Sequence, residues 1–240
     1  MFTRTRPTAK EMSIAIACLL LALGGAFIAA QLTLHLEPPL FSLAPPCPEL
    51  PCNREPFLES QRLNLNRTFF TAWAALILIT PALCMFWFRR TSEAAARYWL
   101  AFWTISFIAF LVHFYWSVFI MFGGDWSRIF NQVANGRRVT VPIFDTIFTL
   151  WWGIDVLLAW VITSEKRMVR IQRVFVHISA FVLFLLGSVK EGELDGSNGK
   201  FAWSVVLGII MAVCVLTSLL IWFIRWLKDW KFVSSEKTAG

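Results

Sequence analysis

The chain has 240 residues, of which 58% are hydrophobic and only 15% are charged, and its formal net charge is +7. Soluble domains are typically about 45–50% apolar. The composition therefore excludes a soluble globular protein and indicates one with several membrane spans. The positive charge has no accompanying motif for nucleic-acid binding, so we predict no nucleic-acid partner and attribute the charge to the membrane.

Long apolar runs define the predicted secondary structure, because about 20 apolar residues in a helix cross roughly 30 Å of hydrocarbon. Six runs qualify: residues 12–34, 69–88, 99–121, 141–163, 174–189 and 201–226. The fifth run is short and must extend into its flanks or lie in a thinned bilayer. We predict an all-α polytopic membrane protein with six transmembrane helices in one bundle and a single domain over residues 1–240.

The first run follows Arg4, Arg6 and Lys10, as a secretory signal would. An apolar core of 7–15 residues is usual for a signal peptide. This run is longer than that, so we predict that it is retained as a true span.

The basic residues predict the orientation. With the amino terminus inside, 14 of the 22 lysines and arginines fall in inner segments and 8 in outer loops. Positive charge is enriched on the cytoplasmic side of membrane proteins. We therefore predict a bacterial-type inner membrane location, with both termini in the cytoplasm.

The first outer loop contains the proline-rich segment Pro45–Cys52. Cys47 and Cys52, in an oxidising compartment, are well placed for a small disulfide that closes this loop. A redox-active or metal-binding pair is the alternative, but it requires an electron acceptor for which the sequence offers no motif. The second outer loop begins with Gly123-Gly124, and its segment 129–133 is a candidate for a short interfacial helix.

Four acidic or histidine side chains lie within the predicted spans: Asp145 and Asp155 in the fourth, His113 in the third and His177 in the fifth. Such residues are expensive in a membrane and require an explanation. Their depths predict that Asp155 meets His177 near the inner side, and that Asp145 meets His113, more loosely, near the outer side.

Several roles remain open for these four residues. Hydrogen-bonded acids can fix helix packing, and acids with histidines can also relay protons. Ligation of haem b by His113 and His177 is disfavoured by their different depths, and a quinone pocket is a further alternative. The sequence therefore singles out no cofactor, and haem b and a quinone remain the weak alternatives.

The sequence contains no catalytic or metal-ligating motif, so an enzymatic role is not favoured. Transporters usually have helices broken near mid-membrane, whereas these spans are mostly continuous. The expected function is a non-catalytic membrane subunit or scaffold of a larger inner-membrane assembly, possibly one of electron transfer. Its expected partners are the lipid bilayer and other membrane subunits. The alternative is a proton-coupled transporter or proton-conducting protein, and a haem b or quinone-binding anchor is third.

Overall fold

The computed structural model describes residues 6–34, 59–130, 133–134, 137–138, 141–162, 166–194 and 202–238. Its regular elements are α1 (Ala9–Leu34), α2 (Glu59–Phe86), α3 (Glu93–Tyr115), a π-helical turn (Trp116–Met121), α4 (Trp126–Phe130), β1 (Val133–Ala134), β2 (Arg137–Arg138), α5 (Val141–Val161), α6 (Arg167–Leu194) and α7 (Ala202–Thr238). The two short strands form an antiparallel pair in which Val133 faces Arg138. The remaining elements of the described part are helical.

Six helices of the described residues are long and apolar enough to cross a membrane. They correspond to the six predicted runs, so this part of the prediction is confirmed. Three helices extend well beyond their predicted runs: α2 begins at Glu59, α6 has 28 residues from Arg167 to Leu194, and α7 ends at Thr238. The fifth run was expected to extend into its flanks, and α6 does so through a basic segment whose low hydropathy had placed it outside the run. The extension removes the shortfall in the length of this span.

Polar side chains mark the first turns of α1 and α3. Glu11 accepts a hydrogen bond from the backbone N–H of Thr8 at 2.8 Å, as in a capping box. The hydroxyl of Ser92 accepts from the backbone N–H of Ala95 at 3.3 Å and caps α3. Glu11 also accepts a hydrogen bond from Nε of Arg97 at 3.1 Å, which joins the starts of α1 and α3.

Contacts between helices show that they alternate in direction. The end of α2 meets the start of α6 where Phe86 stacks on His177, and it meets the later part of α7 where Trp87 packs on Trp222. We call this end of the bundle, where α1 begins, the terminal end. The opposite end, where Phe27 of α1 packs on Trp116 after α3, is the loop end. The carboxyl-terminal part of α7 therefore lies at the same end as the start of α1.

Helices α2 and α3 supply most of the core. Trp103 and Trp152 are its largest fully buried side chains, and Ile79, Leu100 and Ile105 pack with them. Large apolar side chains cover the outward faces, as in Leu150 and Val161 of α5, which are 68% and 74% exposed. An outer surface of this kind is suited to lipid, and in water it would be an aggregation liability.

The loop after the π-helical turn contains two glycines that both have positive φ, Gly123 at 62° and Gly124 at 74°. Only glycine adopts this left-handed conformation without steric cost. The turn leads directly into α4 at Trp126–Phe130, so the short helix starts three residues before the predicted 129–133. The earlier start places both Trp126 and Phe130, which pack on each other, inside the helix.

The predicted disulfide lies outside the described residues, because neither Cys47 nor Cys52 is among them. Within the described part, Cys18, Cys84 and Cys214 are free. The Cys47–Cys52 bridge therefore stays a prediction. Its closed loop is short, so its stabilisation should fall at the low end of about 2–4 kcal/mol. Peptide mass mapping without reduction should recover the linked peptides, and two free thiols in protein taken from the native membrane would contradict the bridge.

Candidate functional site: a buried ion pair and an aromatic stack

A buried ion pair joins α5 to α6 near the terminal end. Nε of Arg173 donates to Oδ1 of Asp155 at 3.2 Å, and both side chains are 0% exposed. The other carboxylate oxygen, Oδ2, accepts from the indole N–H of Trp103 on α3 at 3.0 Å. One carboxylate therefore binds side chains from two neighbouring helices. Removing one member of a buried ion pair usually lowers the stability of a protein by several kcal/mol. The contacts of Asp155 therefore constrain how α3, α5 and α6 pack.

His177 lies one turn after Arg173 on the same face of α6. Its Nε2 accepts from the indole N–H of Trp99 at 2.9 Å, and its Nδ1 lies 2.8 Å from the carbonyl oxygen of Arg173. A neutral imidazole with its proton on Nδ1 satisfies both hydrogen bonds at once. The hydrogen bonds thus define the neutral tautomer of this side chain.

Aromatic rings cover both faces of the His177 ring. Trp103 stacks on one side with ring centroids 3.8 Å apart, and Phe86 stacks on the other at 3.9 Å. The guanidinium carbon of Arg89 lies 3.8 Å from the centroid of Phe86, which adds a cation–π contact at the terminal end. The stacked side chains bring together α3, α6 and the end of α2. In order, they are Trp103, His177, Phe86 and Arg89. We call these four residues the aromatic stack.

A pair of substitutions at His177 separates its stacking from its hydrogen bonds. His177→Phe should keep the ring between Trp103 and Phe86 but leave the buried indole N–H of Trp99 without its acceptor. We expect a loss of about 1–3 kcal/mol for this unsatisfied donor. His177→Ala should cost more, because it also leaves a cavity between two rings. Thermal unfolding of purified variants measures the difference, and equal melting temperatures for His177→Ala and the wild type would contradict a structural role for the stack.

The expected contact between Asp155 and His177 is replaced by a different pairing. The structure brings both residues into one cluster, but Arg173 and Trp103 bind the carboxylate and Trp99 binds the imidazole. Sequence reasoning missed Arg173 because it assigned this residue to the inner loop. A signal was present: Arg173 precedes His177 by one helical turn, so a helix that began earlier would place both on one face.

The loop end contains a second polar group of residues. Nδ1 of His113 lies 2.9 Å from the backbone carbonyl of Thr68 on α2. The guanidinium of buried Arg67 lies 5.7 Å from the ring centroids of both Phe27 and Trp116. The indole N–H of Trp116 points to the side-chain oxygen of Asn64 at 3.4 Å. These contacts join α1, α2 and the end of α3.

Asp145 occupies the loop end of α5, on the helix face that carries the buried Phe148, Thr149 and Trp152. It is half-buried. Its backbone carbonyl accepts from the hydroxyl of Thr149 at 2.6 Å. Its carboxylate makes no hydrogen bond or ion pair in the part of the chain that the structure describes. The expected pairing of Asp145 with His113 is therefore not formed, and the histidine instead binds the carbonyl of Thr68.

The two histidines lie near opposite ends of the bundle. His113 contacts α2 at Thr68 and His177 contacts it at Phe86. Those two positions are about 27 Å apart along a helix that rises about 1.5 Å per residue. This separation is far too large for both histidines to bind one haem iron. Among the described residues, no group of three or more histidine, cysteine, aspartate or glutamate side chains is arranged to hold a metal ion.

Comparison with models of known protein families, with curated proteins and with solved structures gave no match.

Proposed function

We propose that this chain is a multi-pass protein of a bacterial-type inner membrane, and that it acts as a non-catalytic subunit or scaffold of a larger membrane assembly. The chain would contribute a rigid bundle against which other subunits pack. An electron-transfer assembly is the class we consider first.

This proposal depends on one observation: the buried ionisable groups Asp155 and His177 near the terminal end are fully hydrogen-bonded within the bundle. Both carboxylate oxygens of Asp155 and both ring nitrogens of His177 accept or donate hydrogen bonds within the bundle. Aromatic rings also cover both faces of the imidazole. A proton relay needs groups that exchange protons with water or with each other, whereas these groups are held by fixed partners away from solvent. Their arrangement supports a structural role, in which buried polar contacts fix the packing of α3, α5 and α6.

The outward faces also leave room for packing against other subunits. Helix α5 exposes Ile147, Leu150, Ile154 and Leu157 at the alternating spacing of three and four residues that aligns apolar side chains along one face of a helix. Such a continuous apolar face can pack against either lipid or the helix of another subunit.

The second candidate is a proton-coupled transporter, and Asp145 is the observation that favours it. This carboxylate lies on the inward face of α5 near the loop end without a partner in the described residues. Intramembrane carboxylates of this kind commonly belong to proton or ion pathways. Asp145 and Asp155 lie about 15 Å apart along α5, and no titratable side chain of α5 lies between them.

Two measurements on native material separate the candidates. Extraction of the native membrane in a mild detergent should yield the 27.5 kDa chain in a particle with other subunits at fixed stoichiometry. Reconstitution of the purified chain into vesicles should produce no proton flux above that of protein-free vesicles. A monodisperse single chain that conducts protons, with the flux abolished by Asp145→Asn, would overturn the scaffold proposal in favour of the transporter.

The proposed orientation places both termini in the cytoplasm. A reporter that is active only in the cytoplasm should be active when fused after Lys237 and inactive when fused within residues 191–198. The reason is the excess of basic residues in the segments at the terminal end. The opposite pattern of activity would contradict the orientation. Activity at both positions would mean that α7, which lies between them, does not cross the membrane.

A further inference from the structure

Three basic side chains at the terminal end have no acidic partner among the residues that the structure describes. Arg90 follows the end of α2, and Arg225 and Lys228 belong to α7; all three are exposed and form no ion pair in the part of the chain that the structure describes. Two other basic residues at this end differ, since Arg97 pairs with Glu11 and Arg173 with Asp155. No described residue therefore neutralises the positive charge of Arg90, Arg225 and Lys228, and that charge is available to an anionic ligand.

Arg225 lies beside an aromatic contact between α2 and α7, and Arg90 and Lys228 lie within three residues of Phe88 and Arg225 in the chain. Trp87 and Trp222 pack with ring centroids 5.6 Å apart, and the guanidinium carbon of Arg225 lies 5.6 Å from the centroid of Phe88. The ring of Phe88 holds the arginine at the junction by a cation–π contact. We call this arrangement of Trp87, Phe88, Trp222 and the three basic residues the α2/α7 junction.

The junction combines features that occur at the headgroup level of a membrane. Tryptophan is enriched at the interface between hydrocarbon and water, and the exposed Ile221 and Ile224 lie within one turn of Arg225 on the side towards the hydrocarbon. Arginine recognises phosphate through a planar fork of N–H donors. Basic sites between transmembrane helices are known to bind anionic headgroups.

We infer that the α2/α7 junction is a binding site for an anionic phospholipid. The phosphate contacts Arg225, Lys228 and Arg90, and an acyl chain lies along the apolar surface of α7. The inference goes beyond the proposed function, because a scaffold and a transporter could both carry such a site. It differs from the general attraction of a positive surface to a membrane because it requires these particular residues.

A second basic group on the same end of the bundle supplies a matched control. Lys166, Arg167 and Arg170 at the start of α6 are also exposed and form no ion pair in the described residues. No aromatic contact holds any of them, within the same limits. These three residues are subject to the same general surface potential as the junction. Substituting them therefore alters the net charge of this end without altering the α2/α7 junction.

The test is a titration of the delipidated chain in detergent with phosphatidylglycerol, followed by native mass spectrometry. Phosphatidylcholine with the same acyl chains is the zwitterionic control. Each basic residue near an anionic surface contributes about fivefold in affinity. Arg225→Gln with Lys228→Gln should therefore weaken phosphatidylglycerol binding about 25-fold, whereas Arg167→Gln with Arg170→Gln should change it less than threefold or so. Arg225→Lys keeps the charge but loses the planar fork and the stacking on Phe88, so it should bind phosphatidylglycerol more weakly than the wild type and more tightly than Arg225→Gln.

Three outcomes would overturn the inference. Equal weakening by the two double variants would mean diffuse surface attraction. Equal binding of phosphatidylcholine would mean that the headgroup charge is not recognised. Displacement of the lipid by millimolar inorganic phosphate alone would make free phosphate, and not the lipid, the occupant of the site. The melting temperature of each variant confirms that the bundle is intact before binding is compared.

Discussion

Replacing Asp155 by leucine is expected to lower the free energy of unfolding by about 3–5 kcal/mol, because it leaves the buried guanidinium of Arg173 without its carboxylate. The substitution also removes the acceptor of the indole N–H of Trp103. We expect Asp155 to be the least replaceable residue in the chain for these two reasons. The measurement is the thermal stability of the purified variant in detergent, together with its recovery in the native assembly.

Asp155→Asn should be milder than Asp155→Leu, since an amide keeps the shape and one hydrogen-bond acceptor, but it should still destabilise the bundle because the charge of Arg173 is no longer neutralised. Arg173→Leu should destabilise about as much as Asp155→Leu. The double variant Asp155→Leu with Arg173→Leu removes both buried charges, so it should be more stable than either single variant. If the losses of the two single variants simply added in the double variant, the ion pair would not be the reason for either loss.

A proton relay predicts a different order of severity. An asparagine at position 155 cannot titrate, so Asp155→Asn would then preserve folding and assembly while abolishing activity, and His177→Ala would behave alike. If Asp155→Leu and His177→Leu both left stability and activity intact, neither a structural nor a relay role would hold for this cluster.

The second large effect is expected at Gly208, where α7 crosses α6. A Cβ atom at this position would overlap the hydroxyl oxygen of Ser188 and would lie 2.9 Å from its Cβ. The hydroxyl of Ser204, one turn earlier on α7, donates to the carbonyl of Ser188 at 2.9 Å, so the two helices are held close at this point. Small residues at such crossings allow transmembrane helices to approach.

Gly208→Ala should therefore force α6 and α7 apart and destabilise the bundle by about 1–3 kcal/mol, or more if the hydrogen bond of Ser204 is also lost. Gly187→Ala is the matched control, because a Cβ there meets no atom within 4 Å. It should be neutral or slightly stabilising, since alanine favours a helix more than glycine does. Adding Ser188→Gly to Gly208→Ala removes the clash and should restore part of the loss. Equal melting temperatures for Gly208→Ala and Gly187→Ala would contradict the close approach.

The positions of the six long helices could be predicted from the sequence alone. Apolar length is a local property, and a run of about 20 apolar residues has few alternatives to a helix when its backbone must satisfy its own hydrogen bonds. The ends of the helices were less predictable. Helix α6 continues back to Arg167 through a basic segment, because the hydrogen bonds of a helix do not require apolar side chains.

The neighbourhood of the polar site was also partly predictable, since depth along each span placed Asp155 and His177 near the same end. The hydrogen-bond partners of these two residues could not be predicted. Depth specifies height but not rotation about the helix axis, and rotation decides that Arg173 and Trp103 bind the carboxylate while Trp99 binds the imidazole. The same limit applies to His113, which binds a backbone carbonyl of α2 instead of Asp145.

The sequence by itself determined the six apolar helices found in the described part of the chain and the excess of basic residues in the segments at one end, because hydropathy and charge are sums over neighbouring residues. Only the tertiary structure decided which buried charges neutralise each other. That choice depends on how α2, α3, α5 and α6 rotate to bury Trp103 and Trp152, and aromatic packing, unlike hydropathy, is a property of residues far apart in the chain.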